Sequence, residues 1–190
     1  MNRRLGVWVI CLGMLLVVSS IGLFAYNLWD ENRAALAAAS TVTALCEQMD
    51  AQDALSDVKE IEIDGEQYIG ILRIPALGLE LPINKEWSYP KLKESPCRYA
   101  GDVSGSLTIA AHNYKNHFGN VSSLAYDDTV LLTEVDGHEN LYSVKEVVII
   151  QATGIDEMVN SSYDLTLFTC TYGGKGRVAI RCMRAVPSKI

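Results

Sequence analysis

The sequence predicts a mainly β fold: an eight-stranded β-barrel with short helices, preceded by one N-terminal transmembrane helix and a helical stalk. Three observations predict it. About eight short runs rich in Val, Ile, Leu and Thr follow residue 60, separated by Gly, Pro and Asp turn signals, a pattern of closed or partly closed barrels. From Leu5 to Tyr26 no residue is charged. Those about 22 residues make roughly 33 Å of helix, enough to cross a bilayer. An alanine-rich stretch joins the two. The chain of 190 residues thus divides into a transmembrane signal anchor (1–27), an Ala-rich helical stalk (28–60) and a β-barrel domain (61–190).

Arg3 and Arg4 precede the apolar run, and Asp30 and Glu31 follow it. The positive-inside bias leaves the N-terminus in the cytoplasm and the rest outside. A cleaved signal peptide has a shorter apolar region, about 7–15 residues, and a small-residue cleavage site. Here the run is longer and no Ala-x-Ala site follows, which favours an uncleaved anchor. Removing the two charges of Arg3 and Arg4 takes the net charge from −7 to −9 for the outer part, which argues against nucleic acid as a partner. From Ala34 to Leu55 the composition favours helix. Its apolar residues Leu36, Leu45, Met49 and Leu55 are loosely spaced, which suits a stalk or a helix lying against the domain.

Ile61–Ile63 and Gln67–Ile69 flank Asp64-Gly65, a hairpin signal. The second run continues to Ile74, and a third spans Leu79–Ile83. Residues Trp87–Glu94 suggest a short helix. Ser106–His112 is an apolar strand ending in a polar loop, and Val121–Leu124 is one helical turn. Thr129–Glu134 and Leu141–Gln151 are strands joined at Asp136-Gly137, and a short helix follows around Asp156–Val159. The last two strands, Thr166–Cys170 and Arg177–Val186, are joined by the turn Tyr172–Gly176.

That last hairpin carries the chemistry. Its short turn sets Cys170 beside Arg177, and a thiol beside a fixed cation is how a cysteine nucleophile, or the oxyanion it generates, is stabilised. The plain alternative is a small buried cysteine, the commoner state of a free thiol. The other cysteines, Cys11, Cys46, Cys97 and Cys182, lack the paired spacing of a metal site. Residues 177, 179 and 181 share one strand face, so Cys182 faces away from Arg177. Arg181 shares the face of Arg177 but lies about 13 Å further along, which favours Arg177. Of the three histidines, His138 sits in a solvated turn and His117 in a polar loop. His112 ends an apolar strand, which sets it at the barrel rim. It reads either as an ordinary loop histidine or as the acid–base partner of a cysteine.

These residues together resemble the sortase family of cell-surface transpeptidases. Thr166-Leu167-Phe168-Thr169-Cys170 matches the family's Thr-Leu-x-Thr-Cys strand end in full, and Ala110-Ala111-His112-Asn113 fits its upstream histidine. The family more often has Gly where Ala111 stands. Arg177-Val178-Ala179-Ile180 fits the arginine that opens the next strand, and Ile69–Pro75 resembles the family's opening strand. The resemblance covers about residues 68–185.

It implies a sortase-like barrel and a cysteine transpeptidase. Cys170 would attack the threonine carbonyl of a Leu-Pro-x-Thr-Gly-like sorting signal, His112 would shuttle the proton, and Arg177 would hold the oxyanion. Thr169 is a second candidate, which would either line the substrate site or simply pack. The partners implied are surface proteins bearing a C-terminal sorting signal and an amine acceptor, such as a peptidoglycan precursor of the cell wall. No cofactor is called for, and a zinc site at Cys170 and His112 lacks further ligands. A cysteine peptidase using water and a catalytically silent surface module are the alternatives.

Overall fold

The computed structural model describes residues 3–51 and 58–185. Among these described residues, one long helix, α1 (Arg3–Ala51), precedes nine strands: β1 (Ile61–Ile63), β2 (Glu66–Ile74), β3 (Leu79–Asn84), β4 (Cys97–Ala100), β5 (Leu107–Ala110), β6 (Thr129–Glu134), β7 (Glu139–Gln151), β8 (Leu165–Cys170) and β9 (Gly176–Arg184). Short helices α2 (Tyr89–Leu92) and α3 (Ile155–Val159) lie in the connections, as do 3-10 turns at Pro75–Leu77 and Val121–Ser123. Leu55 of the expected stalk and Val186 of the expected last strand fall outside the described residues.

Eight strands close the barrel in the order β2-β3-β4-β5-β8-β9-β7-β6, and β6 returns to β2. All these pairings are antiparallel except β3–β4 and β5–β8. β1 is a ninth strand, paired with the first residues of β2. The two-residue loop between them has φ of 50° at Asp64 and 83° at Gly65, the positive pair that an Asp-Gly hairpin turn supplies. The closing seam needs a glycine. A Cβ on Gly70 would meet the Thr133 carbonyl oxygen at 2.3 Å, so only a bare backbone lets β2 approach β6 there. The sequence does not mark β4. It has four residues behind Ser95-Pro96, and its pairing with β5 rather than its composition makes it a strand.

The barrel interior is filled by alternate residues of each strand, among them Leu72, Ile74, Ile83, Leu107, Ile109, Leu132, Leu165, Leu167 and Ile180. β2 breaks simple alternation because both its faces are covered. Leu72 and Ile74 point inward, while Tyr68 and Ile71 pack outward against Val42 and Leu45 of α1. The helix therefore lies against the domain along its C-terminal half. Its buried stripe is Ala34, Ala38, Val42 and Leu45, at helical spacings of four, four and three. Leu36 is on the other side and 73% exposed. Small alanines let the helix axis come close to β3. The apolar N-terminal run of the same helix is not buried against the domain at all.

His117 corrects the expectation of a polar loop. The chain after His112 turns inward: the Gly119 amide donates to the Tyr114 carbonyl at 2.8 Å, and the Phe118 amide donates to the His112 carbonyl at 3.2 Å. The turn carries His117 into the interior with no exposed surface, and neither ring nitrogen has a partner among the described residues. Burial pushes its pKa down to about 4. As pH falls below its unfolded value of about 6.5, the unfolded chain takes up a proton that the fold refuses. Stability is therefore full above that value and drops as pH falls towards 4. A His117→Leu variant should gain about 3 kcal/mol on wild type between pH 7 and pH 4 in urea unfolding. An unchanged difference across that range would mean that His117 is protonated or hydrated in the fold.

Candidate active site

Three strand ends meet on one rim. Parallel pairing of β5 with β8 matches Leu107 to Leu165 and Ala110 to Phe168. The Ala111 amide extends the ladder by donating to the Phe168 carbonyl at 3.1 Å. Two residues beyond the last matched pair stand His112 and Cys170, on chains about 4.8 Å apart. On the other side of β8, antiparallel β9 matches Cys170 to Arg177. Residues in register share a face. Ala110, Phe168 and Ala179 form one cluster outside the barrel, while Ile109, Leu167 and Ile180 lie in the interior cluster. Continuing that alternation puts His112, Cys170 and Arg177 on the outer face, in one row.

The β8–β9 turn is tight because of its glycines. Gly173 and Gly174 have φ of 86° and 72°, and the Gly174 amide donates to the Thr171 carbonyl at 2.9 Å. Arg177 Nη1 donates to the carbonyls of Gly174 at 3.2 Å and Gly176 at 3.0 Å. Its Nε and Nη2 have no protein partner among the described residues. Arg181 is occupied elsewhere: it lies beside Thr166, pairs with Glu146 at 3.7 Å and sits over the Tyr163 ring.

Cys170 is exposed at the end of β8, and His112 is half-buried. A groove of about 200 Å³ runs up to Cys170 and Arg177, with Thr169 also on its lining. Its wall is a ladder of rings in edge-to-face contact. Tyr89 meets Trp87 at 5.0 Å, Trp87 meets Tyr99 at 5.4 Å, and Tyr99 meets Phe168 at 5.1 Å. Ile155 and Met158 of α3 form the facing side. Segments 84–104 and 150–163 supply these walls together with Phe168 of β8. The sequence offered no local signal for the ladder, because its rings come from α2 and the loop before it, from β4 and from β8, and meet only in the fold.

His112 does not line this groove. It lines a separate cavity of about 580 Å³, with Tyr114, Tyr172 and Asn27, Asp30 and Glu31 of α1. Its Nδ1 lies 3.3 Å from Asn113 Oδ1, and its ring is stacked on Tyr114 at 4.3 Å, with 2° between the planes. An Nδ1–H donated to Asn113 leaves Nε2 as the free acceptor on the imidazole. Thr169 is buried, and its hydroxyl donates to the Ala111 carbonyl at 2.9 Å, tying the end of β8 to the end of β5. His138 is exposed. All five cysteines are free, and Cys182 packs in the barrel interior, opposite to Arg177.

An exposed thiol, an imidazole and a guanidinium in one row, above an apolar groove, can carry out acyl transfer through a thioester. The family profile described as the sortase domain matches residues 72–185. The fold is similar to that of solved sortases at low identity. A Clostridium perfringens sortase D5 transpeptidase aligns with a TM-score of 0.56 and 20% identity, covering 63% of this chain and 79% of that one. A Clostridium perfringens sortase C, solved with the C-terminal cell wall sorting motif, aligns with a TM-score of 0.63 and 20% identity, covering 78% and 100%. Sortase C of Streptococcus pneumoniae gives a TM-score of 0.63 at 18% identity, covering 80% and 99%. No curated protein matches the chain.

The thiols differ sharply in access. Burial pushes Cys97 and Cys182 up to about 12, so both stay protonated and inert at neutral pH. Brief iodoacetamide treatment of the folded protein, mapped by mass spectrometry, should modify Cys170 and leave Cys97 and Cys182 unmodified until urea is added. Native labelling of the two buried thiols at the rate of Cys170 would contradict this packing.

Proposed function

This chain belongs to the sortase family of cysteine transpeptidases, and we propose that it is a membrane-anchored sortase acting on a Leu-Pro-x-Thr-Gly-like sorting signal. The observation that carries the reading is the single row of His112, Cys170 and Arg177 at the ends of β5, β8 and β9. Cys170 Sγ attacks the threonine carbonyl carbon while its proton passes to His112. Arg177 donates to the oxyanion; its planar, permanently charged fork suits a fixed position beside the thiol. The tetrahedral intermediate collapses, the Thr–Gly C–N bond breaks, and His112 returns the proton to the leaving glycine amine. A thioester on Cys170 remains. An incoming amine of the cell wall loses a proton to His112, attacks the thioester carbonyl and releases the thiol.

The aromatic groove supports the substrate class. Trp87, Tyr99 and Phe168 offer an apolar wall for a leucine and a proline next to Cys170. The Clostridium perfringens sortase C of similar fold was solved with a cell wall sorting motif, which is the same kind of ligand. Thr169 borders the groove with its hydroxyl committed to Ala111, so its part is to hold the two strand ends together. Residues 1–27 serve as the anchor with the N-terminus in the cytoplasm, residues 28–60 as the stalk, and 61–190 as the catalytic domain outside. The partners are surface proteins with a C-terminal sorting signal and a peptidoglycan precursor or other amine acceptor.

The test is transfer of a Leu-Pro-x-Thr-Gly peptide library to triglycine, read by mass spectrometry. Wild type should give a threonine–triglycine adduct, and Cys170→Ala should give none. Arg177→Ala should lower kcat by about 10²-fold, the usual loss for one oxyanion donor. Cleavage without triglycine incorporation would favour a peptidase, and an adduct formed by Cys170→Ala would refute the assigned nucleophile.

A further inference from the structure

The first polar turn of α1 after the apolar run touches the loop that carries His112. Tyr114 donates its hydroxyl to the Asp30 carboxylate, and the Lys115 amide donates to the Glu31 carboxylate. Two bonds thus run from one helical turn to two consecutive loop residues, 84 positions away in sequence. Tyr114 is also the residue whose ring is stacked on His112, almost parallel to it. On the ring edge, the only bond to the imidazole among the described residues is the 3.3 Å contact with Asn113. Asn113 belongs to the same loop and is itself part-exposed. The imidazole plane is therefore set chiefly by Tyr114, and Tyr114 is held by Asp30.

We propose that Asp30 and Tyr114 are positioning residues for the proton-transfer step, so that the membrane-proximal turn of α1 fixes the plane of the His112 imidazole. The proposal rests on the transpeptidase reading of His112. It also makes α1 a working part of the site rather than a tether alone. The helix does not need Asp30 in order to stay docked. Ala34, Ala38, Val42 and Leu45 bury its stripe against the barrel, and Arg33 adds a contact to Glu94 at 3.6 Å. Asp30 and Tyr114 thus make a contact that packing alone does not require.

The link is durable at neutral pH. The Tyr114 bond and neighbouring Arg33 hold Asp30 below the usual carboxylate range, against a smaller opposing effect of burial. Burial first, and then Asp30, push the Tyr114 hydroxyl up to about 12, so it stays a donor. Geometry of this kind matters because a base must meet its proton within hydrogen-bond reach. A free imidazole at a rim would rotate through orientations that miss the thiol.

The experiment uses the full chain in detergent micelles, with Asp30→Asn, Tyr114→Phe and the double variant. Tyr114→Phe keeps an aromatic ring at this position and removes only the tie to the helix that holds it in the stack. Each single variant should lower kcat for transfer to triglycine by about tenfold with KM for the peptide within about twofold, since substrate binding lies in the other groove. The double variant should be no slower than either single one, because both cut the same link. The second readout is the His112 ring-proton resonance, assigned by its loss in His112→Gln. Stacking shields it in wild type, and it should move downfield in both single variants. Wild-type kcat with an unmoved resonance, or losses that multiply in the double variant, would overturn the proposal. If wild type itself transfers no peptide, the transpeptidase reading fails. The resonance still decides: a downfield move keeps the Asp30–Tyr114–His112 link, and an unmoved signal refutes it.

Discussion

The parallel pairing of β5 with β8 is the constraint on which this molecule depends. Fifty-four residues separate Ala110 from Leu165, yet their strands run side by side in register. A parallel pair needs a long crossover, and here β6, β7 and α3 supply it. The result is that two chain segments leave the sheet at the same end and height. One delivers an imidazole and the other a thiol. A slip of one residue would turn one of those side chains into the barrel interior. The barrel interior resists the slip, because it would replace Ile109 or Leu167 there by a threonine, Thr108 or Thr166.

The same alternation divides the labour of β8 and β9. Inward residues, Leu165, Leu167, Ile180 and Cys182, make the barrel core. Outward residues, Phe168, Cys170, Arg177 and Ala179, make the groove and its reactive end. Thr169 sits at the boundary, and its hydroxyl closes the gap between the strand ends at Ala111. Arg177 and Arg181 share a face but not a role. Glu146, Tyr163 and the Glu157 carbonyl take up Arg181, while the glycine turn holds Arg177 by one nitrogen beside the thiol. Two arginines of equal charge thereby differ in availability.

The long helix adds a third layer to a two-sided problem. Its buried stripe covers the outer face of β2, where Val42 and Leu45 meet Tyr68 and Ile71, which is why β2 reads as a nearly continuous apolar run. Just before that stripe, Asp30 and Glu31 reach the loop after β5. Hence the turn that follows the apolar run is also the turn that meets the histidine loop. A chain that crosses a membrane at its N-terminus would carry its reacting groups close to the bilayer surface by this contact alone.

Local chemistry was legible in the sequence. The Asp64-Gly65 turn, the glycine-rich β8–β9 hairpin, the neighbourhood of Cys170 and Arg177, and the uncharged run from Leu5 to Tyr26 each depend on residues close in sequence. The family resemblance at Ala110-Ala111-His112-Asn113 put His112 forward as the proposed partner of Cys170. What only the tertiary structure decided involves partners far apart along the chain. β4 exists because β5 pairs with it, the aromatic ladder because three elements converge, and the burial of His117 because its loop turns inward. Leu36 is exposed while Leu45 of the same helix is buried, since the stripe that faces the barrel runs through Ala34, Ala38, Val42 and Leu45. The Asp30–Tyr114 bond leaves no local trace at all. Periodicity and turn chemistry are encoded within a few residues, whereas closure, crossover and docking are set by contacts whose two halves carry no mark of each other.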